Sequence, residues 1–303
     1  MNERMKILIG YDGSACAKAA LVYLQRAGLP RKAEVRVLSV AELWIPLPAS
    51  YGGVDTTFPA EESRLQDEAL QLAHEAQNVV KTLFPEWHVH AEAVTGSPVS
   101  SIVWRADEWQ PDLLVVGSHG RTALGRFFFG SVSQGVLHHA RGSVRIARAN
   151  DKKPGEPLRF VVGVDGSACA DEMVQKLAHR HWSTDDEAMV VAANWTLASQ
   201  GVRNALNEQG VLTPMSQWIA EENERINAAV EKAVNRLKGA NLRVTHLVKL
   251  GDPKQLLVNE AERWGADCIY VGSHGMGRLD RILLGSVSSA VAARAHCSVE
   301  VVR

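Results

Sequence analysis

The chain has 303 residues, 46% hydrophobic and 22% charged, a balance that suits a folded globular protein at a length that favours two cores over one. A formal net charge of -1 and a pI near 6.8 leave no cationic excess for a nucleic-acid backbone or an anionic membrane surface. Four cysteines, none spaced as CxxC, are too few for a disulfide framework, and the opening "MNERMKILIGYDGSA" has neither an apolar signal core nor a small-residue cleavage site, so a cytoplasmic protein is expected.

Taken in order, "KILIGYD" reads as a strand, "SACAKAALVYLQRA" as a helix and "EVRVLSVAEL" as a second strand. A Pro/Gly-rich stretch leads to a long amphipathic helix over 61–84, with Leu65, Leu72, Ala76, Val79 and Leu83 as its apolar positions. Strand "HVHAEAV", helix "PVSSIVWRADEW", strand "DLLVVG", helix "SVSQGVLHHA" and strand "SVRIAR" follow. The polar stretch "ANDKKPGEP" reads as a linker, and beyond it the pattern starts again, with strands "RFVVGVD", "EAMVVAAN", "LRVTHLVKL", "DCIYVG" and "SVEVV". Asp12 falls opposite Asp165 and Gly117 opposite Gly272, a nearly constant offset of roughly 150 residues that marks a duplicated domain. The expected division is a first domain over 1–149, a linker over 150–157 and a second domain over 158–303. Strands as apolar as "LLVV" and "FVV", alternating with helices, predict a five-stranded parallel α/β sheet in each copy. Ligands of such sheets sit beyond the carboxyl ends of the strands, where strand order reverses. The short motifs lie there.

After the fourth strand of each copy comes GSHG, then nine residues, then GSVS: Gly117, Ser118, His119 and Gly120 with Gly130, Ser131, Val132 and Ser133, and Gly272, Ser273, His274 and Gly275 with Gly285, Ser286, Val287 and Ser288. Glycines three apart permit close backbone approach, and the second element stands at the mouth of a helix whose first N–H groups have no internal partner. A phosphate chain fits between the two. Ser131 or Ser133 is open to two roles, helix N-cap and phosphate ligand. Glycines at strand ends are commonly turn formers, but here the spacing is kept in both copies while the nine residues between have drifted from "RTALGRFFF" to "MGRLDRILL". Within them, Arg126 and Arg281 align and read equally well as polyphosphate contacts or solvated loop residues.

Two familiar loops are excluded. "GRTALGRF" approaches a Walker A loop but has Arg126 for the lysine and Phe127 for the Mg²⁺-binding hydroxyl, and no GxGxxG follows the first strand of either copy. Asp12 and Asp165 end the first strands, where turn formation competes with contact to a ribose hydroxyl or base edge, and ligand contact is the favoured reading. His119 and His274 lack an orienting acid or a nucleophile in the motif and read as loop-shaping residues. Trp109 and Trp264 align and read as core. The pairs His138/His139 and His179/His181 point to different helix faces, so no metal site is assigned.

Together, "YDGS" or "VDGS" closing an early strand and GxxG, nine residues, GS after the fourth resemble the universal stress protein family in its tandem, ATP-binding form. The resemblance implies two Rossmann-like, adenine nucleotide alpha hydrolase-like domains of strand order 3-2-1-4-5, each with ATP at the switch point. It places a backbone contact to adenine on Val40 and Ala193, adds Gly10 and Gly163 at the ends of the first strands, and assigns the phosphates to the GSHG and GSV segments. Where the family often has proline before the last strand, this chain has Ser143 and Ser298. The resemblance also implies pairing of the two halves as a pseudo-dimer, with a homodimer open. The leading expectation is a stress-response binding module for ATP with Mg²⁺, without catalytic residues. A slow nucleotide hydrolase using His119 or His274 and an interaction scaffold with empty sites, closed off by Phe127 to Phe129 or by long loops at 44–60 and 196–214, are the alternatives.

Overall fold

The computed structural model describes residues 4–42, 58–120, 129–149, 156–194, 212–275 and 284–303. Arg126, Arg281, Phe127 and most of the two long loops lie outside the described residues. The chain divides into two compact units, Met1–Ala147 and Arg148–Arg303.

The first unit runs β1 (Met5–Gly10), α1 (Ala15–Tyr23), β2 (Ala33–Ala41), α2 (Phe58–Leu83), β3 (His88–Thr95), α3 (Pro98–Trp109), β4 (Leu113–Gly117), α4 (Ser131–His139) and β5 (Ser143–Ala147). Its strands lie parallel in the order β3-β2-β1-β4-β5. The second runs β6 (Arg159–Gly163), α5 (Ala168–Ala178), β7 (Glu187–Asn194), α6 (Leu212–Lys238), β8 (Arg243–Leu250), α7 (Pro253–Trp264), β9 (Cys268–Gly272), α8 (Ser286–Arg294) and β10 (Ser298–Val302). Here the parallel order is β8-β7-β6-β9-β10. Each half is therefore an α/β domain with the strand order 3-2-1-4-5. Among the described residues, no helix is long and apolar enough to cross a membrane.

The central strands are buried on both faces, as their unbroken apolar runs require. Ile7, Leu8 and Ile9 in β1, and Cys268, Ile269 and Tyr270 in β9, are almost wholly inaccessible. β1 pairs with β2 on one side and β4 on the other, and β6 with β7 and β9, so the chain leaves the first strand in one direction and the fourth in the opposite one. That divergence opens a cleft above the ends of β1 and β4, and above those of β6 and β9.

The long helix α2 departs from the expected face. Its buried side chains are Ala69, Ala73, Ala76 and Val80, while Val79 is exposed and Leu65 and Leu72 are only partly covered. Of the expected positions Ala76 is buried, and the stripe runs through it with Ala69, Ala73 and Val80 rather than with Leu65, Leu72 and Val79. The residues that touch the sheet are small, because they let the helix axis come close to the strands. Trp109 is buried as expected, with the Arg36 guanidinium 4.6 Å from its ring centroid.

The packing of α2 makes a prediction: Ala73→Leu inserts three heavy atoms where there is no space, and should cost about 1–3 kcal/mol in denaturant unfolding. An unchanged denaturation midpoint would contradict the close approach.

Candidate functional site

The two first-strand aspartates sit on turns that need glycine. Gly13 has φ 76° and Gly166 φ 78°, a region that other residues rarely enter. One carboxylate oxygen closes the turn: Asp12 Oδ1 accepts from the Ser14 amide and Asp165 Oδ1 from the Ser167 amide, both at 3.0 Å. Ser14 and Ser167 in turn cap α1 and α5, accepting from Ala17 and Ala170. The other oxygen faces the glycine motif after the fourth strand of its own half. A Cβ built on Gly120 would lie 2.9 Å from Asp12 Oδ2, and one on Gly275 would lie 2.9 Å from Asp165 Oδ2. The turn role and the cleft role thus fall on different atoms of the same side chain.

Backbone crowding explains the remaining glycines of the motif. Gly117 lies against the first turn of α1, where its Cβ would be 3.3 Å from Ala17 N, and Gly272 lies against Cys169 and Ala170 in the same way. The Gly130 amide donates to the Ser118 carbonyl at 2.8 Å and the Gly285 amide to the Ser273 carbonyl at 2.7 Å, which ties the mouth of α4, or of α8, to the loop after the preceding strand. A Cβ on Gly285 would lie 2.9 Å from that same carbonyl oxygen.

The serine side chains divide into two groups. Ser118 and Ser273 are buried, each beside the Nδ1 of the following histidine, His119 at 3.0 Å and His274 at 2.8 Å. Ser133 is buried and donates to the Gly117 carbonyl at 2.6 Å, while Ser288 donates to the carbonyls of Ser273 and Gly285. The N-cap positions of α4 and α8 are Gly130 and Gly285, extended and without any side-chain capping bond. This corrects the N-cap reading of Ser131 and Ser133: Ser131 is already the first helical residue, and the Ser133 hydroxyl turns back to the strand. By contrast α1, α5 and α7 carry side-chain caps from Ser14, Ser167 and Asp252. At the two clefts, then, the first-turn amides of α4 and α8 have no side-chain acceptor among the described residues, and Ser131 and Ser286 are exposed beside them.

In the second unit these parts surround a cavity of about 420 Å³. Gly163, Val191, Ala193 and Val271 form its strand-end floor, with Ile226 of α6 and Leu257 of α7 at its sides. Gly272, His274 and Gly275 meet Gly285, Ser286, Val287 and Ser288 at one end, and Asp165 also lines it. Gly163 is glycine because Leu257 is packed over it, 3.0 Å from where a Cβ would stand; Gly10 is covered in the same manner by Ile102. In the first unit Gly10 and Val40 close β1 and β2 beside Asp12, and Val132 lies in the first turn of α4, partly exposed. Among the described residues, no group of three or more His, Cys, Asp or Glu is arranged to hold a metal ion.

Glu222 and Arg225 also line the cavity, and the sequence reading missed both. An i,i+3 acid–base pair in a long amphipathic helix looks like an ordinary surface pair. Arg225 Nε and Nη2 donate to the two Glu222 carboxylate oxygens at 2.9 and 2.7 Å, and Nη1 donates to the Asp165 carbonyl at 2.8 Å. The hydrogen bond from Arg225 holds the Glu222 carboxyl below its ordinary range, and Arg225 is in turn raised, first by that bond.

The sequence pattern of the universal stress protein family matches residues 3–148 and again 158–303. The chain belongs to the universal stress protein family. A universal stress protein of Mycolicibacterium smegmatis is 30% identical over 308 residues, covering 98% of this chain and 96% of that protein. One of Mycobacterium tuberculosis is 28% identical over 312 residues, covering 100% and 97%. Of solved structures, a universal stress protein from Archaeoglobus fulgidus superposes with a TM-score of 0.61 at 20% identity, covering 98% of this chain and 96% of that one. These relatives are matched along almost their whole length, so the tandem form of this universal stress protein is the form in which they also occur.

Two outcomes are expected from this geometry. Ser133→Ala takes the hydroxyl donor from the part-buried Gly117 carbonyl and should lower stability by about 1 kcal/mol, read by denaturant unfolding. Because the folded-state pKa of Glu222 is lowered, its pairing contributes stability above the ordinary carboxylate range and loses it as pH falls through the lower folded value. Glu222→Gln should remove that part of the acid-side decline in thermal midpoint and leave the neutral-to-basic side flat.

Proposed function

We propose that each half of this universal stress protein binds one ATP, with Mg²⁺, and that occupancy biases the protein's conformation or its partners. The observation that carries the reading is the pair of helix mouths, α4 and α8, left without side-chain caps and tied by backbone bonds to glycine loops at the ends of β4 and β9. Such a mouth presents aligned amides and the positive end of a helix dipole to an anion. The triphosphate would lie on Gly117–Gly120 and the amides of Gly130, Ser131 and Val132 in the first half. In the second it would lie on Gly272–Gly275 and those of Gly285, Ser286 and Val287. Asp12 and Asp165 would accept from ribose hydroxyls, and adenine would meet the backbone of Val40 and Ala193, with Ile226 and Leu257 at its faces in the second cleft. Arg126 and Arg281 are assigned to the outer phosphates. Mg²⁺ belongs to the triphosphate, held by phosphate oxygens and water, with Asp12 and Asp165 in the same clefts.

The serine contacts at His119 and His274 Nδ1 favour holding ATP over splitting it, since each imidazole is engaged in shaping its own loop.

Native mass spectrometry of freshly purified protein tests the reading: two adenine nucleotides per chain are expected. Gly120→Val or Gly275→Val, each driving a side chain into the aspartate carboxylate, should leave one, and the double variant none. Added ATP at about 100 times its Kd should stabilise each half of the wild-type protein by about 2.7 kcal/mol and the double variant not at all. A chain that retains no nucleotide and shows no such shift contradicts the proposal.

A further inference from the structure

We propose that Arg225 is a positioning residue that sets Asp165 for ribose recognition in the second cleft, an inference that rests on the nucleotide reading above. The guanidinium makes a fixed fork. Two of its donors are taken by the Glu222 carboxylate, which leaves Nη1 aimed at the Asp165 main-chain carbonyl at 2.8 Å. The bond acts on the peptide that joins Asp165 to Gly166, and so on the direction in which the Asp165 carboxylate leaves the strand end.

Gly166 completes the fit. It has φ 78°, and a Cβ there would come within 2.4 Å of Arg225 Nη1, so the guanidinium lies directly on the bare glycine. The turn that carries Asp165 is therefore gripped from outside by a side chain of α6 and closed from inside by the Asp165 Oδ1 bond to the Ser167 amide. The same helix holds the neighbouring strand end, through the bond between Asn223 and the buried Asn194 that ends β7. With Oδ1 engaged in the turn and Oδ2 facing Gly275, the conformation of this turn sets where Oδ2 stands in the cleft. The Asp165 charge also acts on Arg225, which couples the two groups electrostatically as well as through the backbone.

The consequence is a cleft whose choice between ribose and deoxyribose depends on a residue that does not itself touch the sugar. A carboxylate held in register for a ribose hydroxyl discriminates against an analogue that lacks it, by about tenfold for one hydrogen bond of ordinary strength. A carboxylate released from its register discriminates less, while phosphate and base contacts are untouched.

The test uses full-length protein carrying Gly120→Val, so that only the second cleft is read, and measures by calorimetry the affinities for ATP, 2′-deoxy-ATP and 3′-deoxy-ATP. The expected result is a preference of about tenfold for ATP over at least one deoxy analogue. Adding Arg225→Met should bring that ratio close to one by weakening ATP, with any analogue that keeps the recognised hydroxyl, and not the analogue that lacks it; Arg225→Lys, which keeps a donor, should recover part of the ratio. Thermal midpoints report whether the variants are folded. An unchanged ratio in Arg225→Met, equal weakening of all three nucleotides, or no ribose preference in the Gly120→Val protein overturns the proposal. Failure of the Gly120→Val protein to bind any of the three overturns the nucleotide reading itself, and is seen before Arg225 is altered.

Discussion

A helix whose first amides lack a side-chain acceptor, placed at the reversal point of a parallel sheet, is the constraint around which each half is organised. The chain could have capped α4 and α8 as it capped α1, α5 and α7, with a serine or aspartate in the cap position. It uses glycine instead, twice. With glycine in the cap position the lost side-chain bond costs only about a few tenths of a kcal/mol, and the glycine spacing that goes with it is preserved in both copies while the intervening residues differ. The close approaches at Gly117, Gly120 and Gly130, and at Gly272, Gly275 and Gly285, follow from bringing three stretches of backbone to one point.

The architecture follows from the same requirement. Strands buried on both faces hold the ends of β1 and β4, or β6 and β9, side by side in fixed register, with Gly10 opposite Val116 and Gly163 opposite Val271. Loops leaving those ends reach the cleft already oriented. The aspartate turn is fixed by one carboxylate oxygen and a capped helix, so that the other oxygen faces the glycine loop without further support from the first-strand segment. Duplication then provides two such clefts, and the helix packed beside the second carries the Glu222–Arg225 pair that grips its turn.

Much of this was legible in the amino-acid sequence because the signals were local. Unbroken apolar runs marked the strands, and the repeated glycine spacing marked the loops. The parts that were not legible depend on distance in space. Beside the expected Ala76, the buried face of α2 runs through Ala69 and Ala73, which carry little hydrophobic weight but fit a close approach. The roles of Ser131 and Ser133 depended on which residue begins the helix, a one-residue difference that spacing does not resolve. Arg225 looked like half of a surface ion pair, and only the fold brings it onto Gly166, about sixty residues away in the chain.

The most direct measurement of the central claim is the backbone amide spectrum of the full chain, labelled for NMR and titrated with ATP and, separately, with adenosine. The amides of Gly130, Ser131 and Val132, and of Gly285, Ser286 and Val287, should shift downfield with ATP and stay in place with adenosine, because only the triphosphate offers them acceptors. Identical responses to the two ligands at these residues, or a response to ATP confined to other parts of the chain, would contradict it.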